Sequence, residues 1–139
     1  AIFAEDVFYQ LHQALTQEQG LFSQTGGIHA AGLFDNKGEL LEIYEDVGRH
    51  NALDKLIGSS FLEDDLPFEE KLTMVSGRAS FELIQKAAMA GATTFVAVGA
   101  PSSLAVQVAK EFGMTLIGFL KGNSFNIYNA AWRIKEKAN

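Results

Sequence analysis

The sequence predicts an α/β fold: a three-layer αβα sandwich around a mixed, mostly parallel sheet. Three observations lead there. Residues 72–75, 95–98 and 116–120 are nearly continuous apolar runs, the pattern of strands covered on both faces. Amphipathic helical stretches alternate with them, and strand–helix alternation brings right-handed crossovers and parallel neighbours. Small-residue turns at 46–48, 76–80, 99–103 and 121–124 fall where each strand hands over to the next element.

The elements follow in order. A helix is expected over 3–19, where Phe3, Val7, Phe8, Leu11, Ala14 and Leu15 recur at helical spacing. Glu5 and Asp6 suit its first turn, and Gly20 its end. A β-hairpin with strands near 28–34 and 39–45 is expected around Asp35-Asn36-Lys37-Gly38, adding an antiparallel edge. A helix near 49–61 presents Ala52, Leu53, Leu56, Ile57 and Phe61 on one face, and an acidic loop at 63–65 follows. A strand at 72–76 leads to a helix running to Ala90 and stopped by Gly91. A strand at 94–99 leads to a helix running to Phe112 and stopped by Gly113. A strand at 115–120, an extended stretch at 125–128 and a frayed helical tail at 130–139 complete one domain over 1–139, with its core at 22–128.

Composition excludes several function classes. With 139 residues, 47% hydrophobic and 20% charged, the chain can bury a real core and is not disordered. A net charge of −6 argues against wholesale binding of nucleic acid or anionic membrane. Zero cysteines remove disulfides, zinc–thiolate sites, iron–sulfur clusters and a cysteine nucleophile together. No apolar run approaches the length that spans a bilayer, so no membrane insertion is expected. The start of the chain lacks an initiator Met and a basic leader, so no signal peptide is read and the chain reads as a fragment. No His-Glu-x-x-His occurs and no zinc or other metal is expected; Gly-x-Ser-x-Gly is also missing.

Ligands of open α/β sheets bind beyond the carboxyl ends of the strands. Of the chain's arginines, Arg49 and Arg78 both fall in turns expected there, as do His50 and Ser102. Backbone N–H groups at helix starts and two guanidiniums suit a phosphorylated or otherwise anionic ligand. Alternatively, Ser80 and Ser102 only cap helices while the arginines pair with Asp46 and Glu82. His29 reads as a hydrogen-bonded core residue at a strand start, and His12 as a half-exposed position on the first helix. Phe119, Phe125 and Tyr128 are read as core, or as a stack for a heterocyclic base.

The motifs at these turns are specific. Thr25-Gly26-Gly27-Ile28-His29-Ala30-Ala31, Glu45-Asp46-Val47-Gly48-Arg49-His50-Asn51-Ala52-Leu53-Asp54-Lys55, Ser76-Gly77-Arg78-Ala79-Ser80-Phe81-Glu82, Ala100-Pro101-Ser102-Ser103-Leu104-Ala105-Val106 and the stretch 116–128 resemble, in order, the FdhD family of formate dehydrogenase accessory sulfurtransferases. The resemblance implies a cytidine-deaminase-like αβα fold. It also implies a cytoplasmic protein that takes sulfur from an L-cysteine desulfurase. The recipient is the molybdenum or tungsten bis(molybdopterin guanine dinucleotide) cofactor of formate dehydrogenase. The family's Cys-x-x-Cys loop would lie upstream and is missing here, so the chain is expected to hold cofactor without carrying sulfur and to be inactive alone. The family's cofactor-binding segment corresponds to Leu120, Lys121, Gly122, Asn123, Ser124 and Phe125, although relatives often carry a basic residue at the position of Ser124. Arg49, His50, Arg78 and Ser102 join that set from the strand-end argument. A homodimer is the default expectation, and a nucleotide-binding, dimerisation or docking module without catalysis is the alternative.

Overall fold

A computed structural model of the chain describes residues 3–18, 29–62, 71–121, 124–130 and 134–135. In order these form β1 (Phe3–Ala4), α1 (Glu5–Glu18), β2 (His29–Phe34), β3 (Leu40–Asp46), α2 (Arg49–Leu62), β4 (Leu72–Val75), α3 (Phe81–Met89), β5 (Thr94–Ala97), α4 (Ser103–Phe112), β6 (Thr115–Lys121), β7 (Ser124–Asn129) and β8 (Ile134–Lys135). The expected helix stop at Gly20, the strand start at Ile28 and the acidic loop at 63–65 lie outside the described residues.

Six strands make one sheet in the order β3-β2-β4-β5-β6-β7. β4, β5 and β6 pair in parallel, whereas β2 is antiparallel to both β3 and β4, and β7 to β6. β3 therefore points the same way as β4, β5 and β6, and four strands end at one edge. The hairpin reading is sharpened in one respect: β2 is an inner strand and only β3 is the margin. Its turn is built by Asp35, whose Oδ1 accepts from Lys37 N at 2.8 Å and Glu39 N at 3.0 Å. Gly38 there takes φ +86°, a conformation that glycine adopts at no steric cost.

Three crossovers, β3–α2–β4, β4–α3–β5 and β5–α4–β6, step in one direction along the sheet. Right-handed connections of that kind lay α2, α3 and α4 on a single face. Side chains on that face form one buried cluster, with Leu33, Leu53, Leu56, Leu83, Ile84, Phe95 and Leu116 fully excluded from solvent. The opposite face is covered by α1, through Val7, Phe8 and Leu11 against Phe34, Leu72, Met74, Val96 and Ile117. Neighbouring positions alternate between clusters, as strand geometry requires: Ala31 and Leu33 face α2–α4, Ala30 and Phe34 face α1. The three expected layers are present.

Two terminal expectations are corrected. Phe3 and Ala4 are not the first turn of the helix but a short strand, and the tail is not helical at Ile134–Lys135. The two pieces pair in parallel, Phe3 with Ile134 and Ala4 with Lys135. The helix begins at Glu5, whose carboxylate, with that of Asp6, suits the positive end of the helix dipole. Phe3 is buried instead by an edge contact with Phe8, ring centroids 6.4 Å apart. At the other strand margin, Asn129 Nδ2 donates to Met114 O at 2.8 Å and to Ala109 O at 3.3 Å, fastening β7 to the end of α4.

Candidate functional site

The edge where β3, β4, β5 and β6 end carries the turns that the sequence singled out. After β3, Asp46 Oδ1 accepts from Gly48 N at 3.0 Å and from Asn51 Nδ2 at 3.5 Å. Its Oδ2 lies 2.8 Å from Lys55 Nζ. Foremost the Gly48 amide, and then Lys55, hold the Asp46 carboxyl down from 3.8 to about 2. This arrangement starts α2 and leaves Arg49 as its first residue. It also decides an electrostatic question. Asp46 is committed to Lys55 and does not neutralise Arg49.

After β4 and β5 the chain makes two parallel turns laced to each other. Gly99 N donates to Gly77 O at 2.9 Å, Ala79 N to Ala100 O at 3.3 Å, and Ser102 N to Ala79 O at 3.0 Å. Each turn ends in a serine N-cap: Ser80 Oγ accepts from Leu83 N at 3.3 Å and Ser102 Oγ from Ala105 N at 3.1 Å. Between these caps and the start of α2 is a cleft of about 220 Å³ lined by Arg49, Arg78, Ala79, Ser80 and Ser102. Both guanidiniums are on exposed residues, and among the described residues neither has an ion-pair or hydrogen-bond partner. Charges left unpaired at two helix starts are available to an anion.

Of the residues proposed from sequence, Arg49, Arg78 and Ser102 are brought together. The serines do cap their helices, as the alternative reading had it, but among the described residues the pairing of the arginines with Asp46 and Glu82 that went with it does not occur. His50 is half-buried in the first turn of α2 and is not among the residues lining the cleft. Phe125 faces the other layer: its ring packs on Phe8 at 5.3 Å and Tyr9 at 5.2 Å, a core contact rather than a free stacking surface. The backbones of Leu120, Lys121 and Ser124 belong to β6 and β7, with Lys121 opposite Ser124 at the same edge. Their side chains, and Gly122 and Asn123 altogether, lie outside the described residues.

A larger groove of about 410 Å³ runs between α2 and α3, lined by Asp54, Ile57, Glu82, Gln85, Lys86 and Met89. Lys86 Nζ bridges it to Asp54 at 3.0 Å, so its one lysine is already paired. Among the described residues no group of three His, Cys, Asp or Glu side chains is placed to hold a metal ion, and no helix is long and apolar enough to cross a membrane.

The FdhD/NarQ family model matches residues 1–135. The chain belongs to the FdhD/NarQ family. It is 52% identical over 133 residues to the sulfur carrier protein FdhD of Streptomyces coelicolor, covering 96% of this chain and 47% of that protein. The FdhD of Sulfurisphaera tokodaii is 50% identical over 131 residues, 94% of this chain and 51% of the relative. The structure superposes on a crystal structure from Desulfotalea psychrophila, described as a formate dehydrogenase accessory protein, with a TM-score of 0.88 at 30% identity. That match covers 96% of this chain and 57% of the other. The chain thus spans about half the length of the curated FdhD relatives it matches.

Asp46 gives this FdhD-family site a pH signature. Its carboxyl is held below its ordinary value in the folded chain, so its contribution is fully present above pH 3.8 and is lost as pH falls through about 2. Carbon-detected NMR of the Asp46 carboxyl should titrate near 2 in the native protein and move upward in Lys55→Ala. A midpoint unchanged by that substitution would show that Lys55 does not hold the carboxylate.

Proposed function

We propose that the chain is the cofactor-holding part of an accessory sulfurtransferase serving formate dehydrogenase. In this reading it grips the phosphates of a molybdenum or tungsten bis(molybdopterin guanine dinucleotide) substrate while sulfur derived from an L-cysteine desulfurase is delivered to the metal. The observation that carries it is the pair of guanidiniums, Arg49 and Arg78, unpartnered among the described residues and flanking two serine-capped helix starts in one cleft. Two planar forks and nearby helix starts are complementary to a diphosphate. The names of the FdhD relatives and of the accessory-protein neighbour supply the sulfur and the client enzyme. Sulfane sulfur must ride on a thiolate. This sequence has no cysteine, so the carrying thiol comes from outside these 139 residues. Cytoplasmic location, contact with the desulfurase and formate dehydrogenase, and a symmetric dimer go with the reading.

Titration calorimetry with GDP tests it. GDP is expected to bind, guanosine to bind at least about tenfold more weakly, and GDP affinity to fall with added salt as screened charge contacts do. Lys121→Ala is expected to weaken GDP severalfold, by removing a cation from the β6–β7 turn at the same edge. Equal affinity for GDP and guanosine would remove the phosphate reading.

A further inference from the structure

The strand order puts one more polar side chain at this edge. β2 runs antiparallel between β3 and β4, so its first residue, His29, emerges where its neighbours end. Strand alternation gives the face. His29 shares parity with Ala31 and Leu33, which point into the cluster under α2–α4, the same side as the cleft. Its cross-strand partner is Asp46, one end of the Asp46–Arg49 turn. On the other side Ser76 Oγ accepts from Ala30 N at 3.0 Å, fixing the start of β2 against the turn that carries Arg78. The imidazole then occupies the space beside Gly77: a Cβ built on Gly77 would lie 3.3 Å from His29 Nδ1 and 3.7 Å from Cε1. The ring is half-buried and, among the described residues, has no hydrogen-bond partner, Asp46 included.

We propose that His29 is a third ligand-contacting residue, reaching a bound nucleotide phosphate or sugar hydroxyl from between the two arginine-bearing turns, with Gly77 kept side-chain-free to admit the ring. This rests on the anion-binding reading of the cleft. A core histidine would be fully enclosed and paired, because a buried polar group without a partner is costly. His29 does not line the cleft itself, but its half-buried ring, without a partner among the described residues, stands beside Gly77, one residue before Arg78, where a ligand extending past the cleft would meet it.

The test is GDP titration of wild type, His29→Phe and His29→Gln, together with ¹⁵N spectra of the wild-type imidazole. Phe fills the same space without polar atoms, whereas Gln restores a polar end. GDP affinity is expected to drop about tenfold in His29→Phe and less in His29→Gln, and the His29 ring nitrogens to shift saturably with GDP. Wild-type affinity in His29→Phe, or ring nitrogens that stay fixed while GDP binds, overturns the assignment. The spectra decide even if His29→Phe does not fold. If wild type binds no GDP, the cleft reading fails and this one with it; if Arg78→Ala weakens GDP and His29→Phe does not, only the histidine assignment fails.

Discussion

Replacing both cleft arginines, Arg49→Ala with Arg78→Ala, is expected to weaken GDP binding by about 10²-fold or more while leaving the fold intact. The size follows from the chemistry. A hydrogen bond to a charged group contributes about 1.5–3 kcal/mol, and a tenfold change in affinity is about 1.4 kcal/mol. Two such groups lost together therefore remove about 3 kcal/mol at least. The intact fold follows from the geometry. Neither guanidinium has an ion-pair or hydrogen-bond partner among the described residues, so neither substitution orphans a buried group or opens a cavity. Calorimetry for affinity and thermal melts for stability measure both halves. Lysine at both positions should recover part of the loss, since it keeps the charge but not the bidentate fork. A double variant that binds GDP like wild type would place the phosphate site elsewhere. One that melts many degrees lower would show the arginines to be structural.

An acidic chain can hold such a site because its nearby carboxylate is occupied. The net charge is −6, yet Asp46, the acid closest in sequence to Arg49, is bound by the Gly48 amide, Asn51 and Lys55. Lys55, in the second turn of α2, takes the charge that Arg49 would otherwise meet. The result is a locally cationic notch within an anionic surface, a difference that net charge does not register.

The central strands were legible from sequence because both their faces are buried, so 72–75 and 95–98 read as nearly continuous apolar runs. The end of α4 was legible because Gly113 alone suits φ +65° there. Arg49, Arg78 and Ser102 could be placed at one edge because parallel crossovers force successive strand ends together. The β1–β8 pair could not be read: two residues have no period, and the pairing joins opposite ends of the chain. His29 was read correctly at a strand start, but its place at this edge could not be read, because it depends on β2 inserting between β3 and β4, a non-consecutive pairing that local pattern does not encode. Phe125 looked available for stacking until α1 was packed across the sheet, where Phe8 and Tyr9 meet its ring.

Two glycines should respond to alanine with opposite signs. A Cβ on Gly118, in the middle of β6, would lie 2.7 Å from Pro101 Cδ, 3.0 Å from Tyr128 Cε2 and 3.2 Å from Gly99 O. The first distance is inside any real carbon contact, and neither neighbour is free to give way. Pro101 is a ring bridged to Ala79, and Gly99 O is backbone of the adjoining turn. Overpacking of this kind costs about 1–3 kcal/mol, or several degrees of melting temperature in a chain of this size. The displaced residue precedes Ser102, so Gly118→Ala should also loosen the cleft and weaken GDP beyond what lost stability explains. Gly58, within α2, has nothing within 4 Å of its would-be Cβ. Gly58→Ala should stabilise the protein by about 0.5–1 kcal/mol through helix propensity alone and leave GDP affinity unchanged. Thermal melts and calorimetry on the two variants separate these outcomes. If Gly118→Ala melts at or above wild type, then β6 and the Pro101 turn do not approach as closely as described, and the turn before Ser102 is not held by that contact.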